Sequence, residues 1–257
     1  MTTIDLIADV GESFGSHRMG DDARLLDALS SANVACGFHS GDPVTMERTV
    51  RLCLDRGVAI GAHPGFHDLV GFGRRTIDMT RSEVRADVLY QLGALHAFVV
   101  AAGSRLTHVT PHGRLANLTV TEEAYAAGVL DAVEAFDASL PVVGQPGLIH
   151  DLAEARGLPA RRIGFPDRAY EPDGALVSRR EPDAVLHDID RITERALAIV
   201  LTGKVEARGG GEVEVVCDSI LLHGDNAASV DAAHQVRRAL EDAGVTIAAP
   251  AAPAAPR

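Results

Sequence analysis

Short apolar runs rich in Val, Ile, Leu and Ala alternate along the chain with longer stretches of helical period. The runs fall at 3–9, 31–38, 58–63, 107–112, 140–145, 161–166 and 218–225. They are nearly continuous in hydrophobic character, as strands buried on both faces are. After the second run, "DPVTMERTVRLCLDRG" opens on Asp42 as cap, with Pro43 at the first helical position, and ends at Gly57. After the third, "TRSEVRADVLYQLGALHAFVVAAG" opens on a Thr80/Glu83 capping box and ends at Gly103. Helical stretches of the same kind follow every other run. Strand–helix units repeated with short connections predict a parallel sheet. The length and unit count predict an α/β protein, a distorted or incomplete (β/α) barrel with about seven parallel strands. A doubly wound open sheet is the alternative.

No domain boundary interrupts this pattern, so one barrel domain is expected over 1–248, followed by a disordered tail, "APAAPAAPR", at 249–257. "ARGGGEVEVV" reads as a small hairpin before the last strand, and 161–183 as a long irregular loop, a kind that is often functional.

The polar residues collect where the runs end. The first run ends in Asp9 and is followed by Glu12. His39 follows the second, beyond Asn33 and Cys36. His63, His67 and Asp68 follow the third, His112 and Asn117 the fourth, Asp167 and Arg168 the sixth, and His223 and Asp225 the last. In barrels and open α/β sheets alike, sites are built at this end of the strands. Each residue has a plainer use: Asp42 and Asp225 could be helix caps, and a lone His a loop residue. Histidines at four strand ends, with Asp9 and Glu12 beside them, are harder to explain singly.

Composition narrows the chemistry. The net charge of -12 leaves no basic excess for tracking phosphates, which excludes a nucleic-acid surface. Cys36, Cys53 and Cys217 have no metal-type spacing, which suits a reduced, cytoplasmic chain. The N-terminus lacks the basic start of a signal peptide, and no apolar run suggests a membrane span. "LTGKVE" lacks the glycine spacing of a P-loop, and no G-x-S-x-G elbow occurs. Asp9, His39 and His63 have the ligand types of a divalent metal site. Without a metal, Asp9 or Glu12 could be a general base and a His the acid. His67 with Arg74 and Arg75 could bind a carboxylate. Cys36 is the one plausible nucleophile, though a small residue at a crowded strand end explains it equally well.

The stretches "IDLIADVGESFG", "SANVACGFHSGDP", "GVAIGAHPGFHDLVGFGRR", "LYQLGALHAF", "TPHGRLAN", "FPDRAYEPDGALVSR" and "ILLHGD" resemble, in order, the LamB/YcsF lactam-utilisation family. The resemblance implies a barrel related to the polysaccharide deacetylases. It implies ATP-dependent opening of the 5-oxo-L-proline lactam to L-glutamate, as one component of a 5-oxoprolinase working with two partner subunits. From their placement at the strand ends, Asp9, Glu12, His39, His63 and His112 are the catalytic candidates, with a divalent metal as candidate cofactor. Arg74, Asp167, Arg168, His223 and Asp225 are the substrate-binding candidates. The chain departs from the family pattern at Ile7, Thr110 and Ala116, where the family usually has Asn, Lys and Tyr, and at Pro166. The lost cation at Thr110 leaves a second reading, a paralogue acting on another cyclic amide or an acylated sugar; a third, of a different class, is a non-catalytic binding subunit that keeps the fold. If Thr110 lies at the rim of the site, Thr110→Lys should change affinity more than stability.

Overall fold

The computed structural model describes residues 2–250 apart from Arg180 and Asp225. The barrel strands are β1 (Thr3–Val10), β2 (Ser31–Ala35), β3 (Ala59–His63), β4 (His108–Val109), β5 (Val142–Gly144) and β6 (Ala160–Gly164). An antiparallel hairpin of β7 (Lys204–Glu206) and β8 (Glu212–Glu214) comes next, as the glycine run at 209–211 suggests. The seventh barrel strand, β9 (Ser219–Leu222), pairs in parallel with β6 on one side and with β1 on the other, Ile7 facing Leu221. That second pairing closes the sheet and rules out the open alternative. A last strand, β10 (Thr246–Ile247), pairs with the start of β1.

Around the barrel run α1 (Asp22–Leu26), α2 (Pro43–Asp55), α3 (Arg81–Ala101), α4 (Gly113–Thr121), α5 (Glu123–Asp137), α6 (Leu148–Arg156), α7 (Ile189–Thr202) and α8 (Ala227–Asp242). Both expected caps form: Asp42 accepts from Thr45 N, and Thr80 and Glu83 make a reciprocal box. Asn226 caps α8; Asp225, a cap candidate by sequence, lies outside the described residues, as does 251–257 of the expected tail. By length and composition α3 alone, among the described residues, is apolar enough to cross a membrane. Its buried residues Val84, Val88, Leu92, Leu95 and Val99 join the main core, as in a core helix.

One helix was not expected. "TPHGRLANL" reads as a strand end, but β4 has only two residues and α4 begins at Gly113, so Asn117 lies on a helix. His112 caps α4 without a side-chain bond, so the Ser, Asp or capping-box signal that marks a helix start is missing.

Side-chain alternation sorts β1 into two environments. Leu6 and Ala8 join the core under the helices, whereas Ile7 packs in the lumen with Val143, Ile163 and Leu221. Asp5, on the same face as Ile7, bonds Ser30 Oγ at 2.7 Å and Ser219 Oγ at 3.1 Å below them. Asp9, the next residue on that face, stands at the C-terminal mouth. The lumen is thus apolar on one side and polar toward β2, β3 and β4.

Asp42 ties the β1–α1 connection to α2. Its Oδ1 accepts from Thr45 N at 2.9 Å, and its Oδ2 from Gly15 N at 2.8 Å. Asp42→Ala should lower stability by about 1–2 kcal/mol, read as a lower urea midpoint at an unchanged m-value.

Candidate active site

Three loops and two strand ends converge on the mouth. Asp9 lies at the end of β1, and Glu12 follows in the β1–α1 loop. His39 comes from the β2–α2 loop, and His63 is the last residue of β3. His112, at the start of α4, is fixed by its backbone N–H donating to Pro64 O at 2.8 Å. His39, His63 and His112 are 0%, 2% and 4% exposed, so their ring nitrogens need partners inside the protein.

Two of those partners decide the protonation of the rings. His63 Nδ1 lies 2.6 Å from Thr110 O, and His112 Nε2 lies 2.9 Å from Phe72 O. A carbonyl oxygen only accepts, so both nitrogens carry hydrogen. The inner nitrogens, His63 Nε2 and His112 Nδ1, then face each other at 2.9 Å. Two bare lone pairs at that distance repel, so the pair needs a cation between them, either a proton or a metal. Phe72 supplies its carbonyl from a positive φ of 53°, a strained conformation for this residue. At neighbouring Gly73 a Cβ would lie 2.8 Å from His39 Cβ and 2.9 Å from His112 Cδ2, so only glycine admits both rings.

Asp9 Oδ1 lies 3.2 Å from His63 Nε2 and accepts from Asn33 Nδ2 at 2.9 Å. Burial opposes its charge, but the charge and hydrogen bond of His63, with His112 and Asn33, hold its carboxyl well below the usual carboxylate range. Burial also opposes charge on His63, and the Asp9 carboxylate reverses that, raising its pKa. In the metal-free protein the cation is therefore a proton, carried by His63. Glu12 Oε1 lies 3.3 Å from His39 Nε2 and 3.8 Å from His112 Nδ1. Burial, then the nearby Asp9 charge, pushes its carboxyl up to about 8. Burial, then neighbouring histidine charge, lowers His39 and takes His112 to about 3.

Glu12, His39, His63 and His112 each offer one donor atom, all within 4.8 Å of one another, a group that could hold a metal. This differs from the expected Asp9, His39 and His63: Asp9 stands against His63, outside the group. The His39 and His112 rings are stacked at 3.8 Å with planes 5° apart. Their lone pairs lie in separate, nearly parallel planes, so both cannot aim at one point. Glu12, His63 and His112 are the better ligand set, with His39 held against Glu12.

Across the mouth, His223 Nδ1 lies 2.5 Å from Asp167 Oδ2, and Arg179 Nη2 lies 3.1 Å from His223 Nε2. Burial opposes charge on both members of the His–Asp pair, yet their mutual attraction lowers Asp167 and raises His223. Arg179 closes the stretch "FPDRAYEPDGALVSR" but was not singled out by sequence, because nothing local to that loop shows that it meets His223. Arg168, expected to meet substrate, is 7% exposed and donates to Ala184 O and Val177 O. It clamps its own loop. Arg75 is paired with Asp68. Arg74 is exposed, with its guanidinium 5.0 Å from the Phe72 ring centre. Burial pushes the Cys36 thiol to about 12, which removes it as a nucleophile.

The LamB/YcsF family model matches residues 4–255. The chain belongs to the LamB/YcsF family. It is 51% identical over 250 residues, 97% of this chain and 99% of the other, to the 5-oxoprolinase A-subunit of Mycolicibacterium paratuberculosis. It is 46% identical over 245 residues, 95% and 96% of the two chains, to the 5-oxoprolinase A-subunit of Thermococcus sibiricus. The lactam utilization protein of Thermus thermophilus superposes with a TM-score of 0.93 at 46% identity, covering 96% of this chain and 100% of that one.

Against the LamB/YcsF pattern, the departures fall in distinct places. Ile7 belongs to the apolar side of the lumen, and Ala116 lies on α4. Thr110 is not at the rim: it is 3% exposed, and its hydroxyl has no hydrogen-bond partner among the described residues. Its backbone oxygen is what the site uses. A lysine there has to bury its chain, so stability is at stake as much as affinity.

Folded Glu12 keeps its proton to about 8, whereas the unfolded carboxyl releases it near its ordinary 4.5. Folding takes up a proton in that window, so this group lowers stability as pH rises through it. In EDTA-treated protein, Glu12→Gln should gain melting temperature over the parent at the alkaline end of the window relative to the acid end. Parallel curves for the two proteins would refute the assignment.

Proposed function

We propose that this chain is the lactam-opening component of an ATP-dependent 5-oxoprolinase, converting 5-oxo-L-proline to L-glutamate with two partner subunits. The reading rests on a polar barrel mouth, built around buried His63 paired with half-buried Asp9, in a chain about half identical, end to end, to proteins named as the A-subunit of 5-oxoprolinase. The work falls in the cytoplasm, in keeping with three free cysteines, and 1–248 acts as one domain.

A lactam is a resonance-stabilised amide, and phosphate placed on its oxygen by ATP makes the ring carbon electrophilic. The missing P-loop agrees with ATP being handled with the partner subunits. Water then adds to the ring carbon. Asp9 is ionised and takes the water proton. Glu12 still holds its proton at neutral pH and can give it to the ring nitrogen as the C–N bond breaks, leaving an acyl phosphate that a second water hydrolyses to the carboxylate and free phosphate. Two carboxyls whose environments push their pKa values apart are suited to these opposite tasks. The cationic His63–His112 pair offsets charge developing on oxygen. Arg74, exposed beside the site, is placed to hold the substrate carboxylate, and the Asp167–His223 pair lines the far side.

A divalent metal fits the same cation position, held by Glu12, His63 and His112. When bound it would supply Lewis-acid charge and lower the pKa of a bound water. Loading it would displace the Glu12 and His63 protons. Calorimetric titration of EDTA-stripped protein with zinc should show one site in the parent and none in His63→Ala. No binding heat in the parent would leave the protonated pair as the whole account.

The functional test is reconstitution with the cognate partner subunits, following glutamate and phosphate release from 5-oxo-L-proline and ATP. Asp9→Asn and His63→Ala should each lower kcat by about a hundredfold or more, the range of a lost acid–base group. Turnover left intact in either variant would overturn the site. Ligand-induced melting shifts without product would favour a binding subunit, and turnover of other cyclic amides alone a changed substrate.

A further inference from the structure

We infer that Thr107, His108 and Asn33 form a one-way chain of hydrogen-bond donors ending on Asp9, which makes His108 a positioning residue for the reaction. The inference rests on Asp9 as the reacting carboxylate. None of the three residues lies at the mouth: Asn33 is 0% and His108 4% exposed, both in the lumen below it.

Each link has one permitted direction. A carboxylate only accepts, so the face of Asn33 toward Asp9 is its amide N–H, at 2.9 Å. That turns Asn33 Oδ1 toward His108 Nε2, also at 2.9 Å. An amide oxygen only accepts, so His108 Nε2 carries hydrogen. Burial takes His108 down to about 3, so its ring is neutral and Nδ1 keeps a lone pair. That lone pair receives the Thr107 hydroxyl hydrogen across 2.9 Å. The hydroxyl hydrogen is shared with Ile60 O at 3.0 Å, which also accepts the Thr107 backbone N–H at 2.8 Å.

The sequence leaves room for this path. A Cβ on Gly61 would run into the His108 imidazole, so the ring can cross β3 only over a glycine. The consequence reaches Asp9. With His108 donating, Asn33 cannot flip, and a flip would set two oxygens 2.9 Å apart. Asp9 Oδ1 is thereby held between Asn33 and His63, and Oδ2, which accepts no hydrogen bond among the described residues, is left for a reacting group. Filling this space alone would need only an apolar side chain. A neutral histidine bonded at both nitrogens, in a chain ending on a carboxylate at the site, is placed for orientation.

Nitrogen-15 NMR of the histidine rings in the full-length parent should show His108 as the neutral Nε2–H tautomer at about pH 7, where an unperturbed ring is partly charged. An Nδ1–H tautomer or a charged ring would overturn the chain. In the reconstituted complex, His108→Phe keeps the bulk and removes the donor. It should lower kcat by about ten- to a hundredfold, with KM for 5-oxo-L-proline changed by less than about twofold. His108→Gln, which restores an N–H, should recover most of that loss. Equal losses in the two variants at equal melting temperature would reduce His108 to packing. Should His108→Phe fail to fold, Thr107→Val serves in its place. It should blur the His108 tautomer and lower kcat by about three- to tenfold, and no change in either would count against the chain. If the parent itself does not turn over 5-oxo-L-proline, the proposed activity fails, while the tautomer still decides the chain.

Discussion

Asp9 is a carboxylate largely withdrawn from water at the end of a barrel strand, and the surrounding residues are arranged to keep it charged. A buried carboxylate needs a partner of opposite charge or several donors. Here it has both, in His63 and in the amide of Asn33. Much of the site follows from that pairing. His63 takes a proton because Asp9 is ionised, His112 remains neutral because it is buried and lies beside charged His63, and Glu12 stays protonated because it is buried near the Asp9 charge. The charge states form one set, and changing Asp9 would reset all of them.

Backbone carbonyls fix the geometry of this set. Thr110 O and Phe72 O hold the outer nitrogens of His63 and His112, so the inner nitrogens can only converge. The barrel supplies the first carbonyl through the strand end next to β3. The second comes from a residue at positive φ in the β3–α3 loop, where backbone strain is maintained by its surroundings. A barrel suits such a site, because its strand ends point inward from several directions on one rigid rim.

Much of the fold was legible in the sequence. The apolar runs, the Asp42 and Thr80 caps and the glycine-rich hairpin all formed, because each depends on neighbours a few residues apart. What misled was of the same local kind. Helix α4 has no side-chain cap, so nothing nearby announced it, and Thr110 looked like a rim residue because it sits one step from Pro111 and His112. Arg168 and Arg75 matched the chemistry of carboxylate binding, but their guanidinium groups were already taken, by loop carbonyls and by Asp68. Those partners are not visible at the level of a motif.

The sequence by itself determined which strands would be buried, where helices would start, and that Asp9, Glu12, His39, His63 and His112 would stand at the same ends of their strands. Hydrophobic period and capping chemistry are local, and the end of the strand on which a residue falls follows from them. Only the tertiary structure decided which of these residues meet and what charge each carries. Barrel closure sets distances between residues far apart in the chain, and burial and neighbouring charges then shift each pKa. For the same reason His108 carries no sequence signal and Asn33 shows only as a polar residue near a strand end: they gain their orientation only from each other and from Asp9.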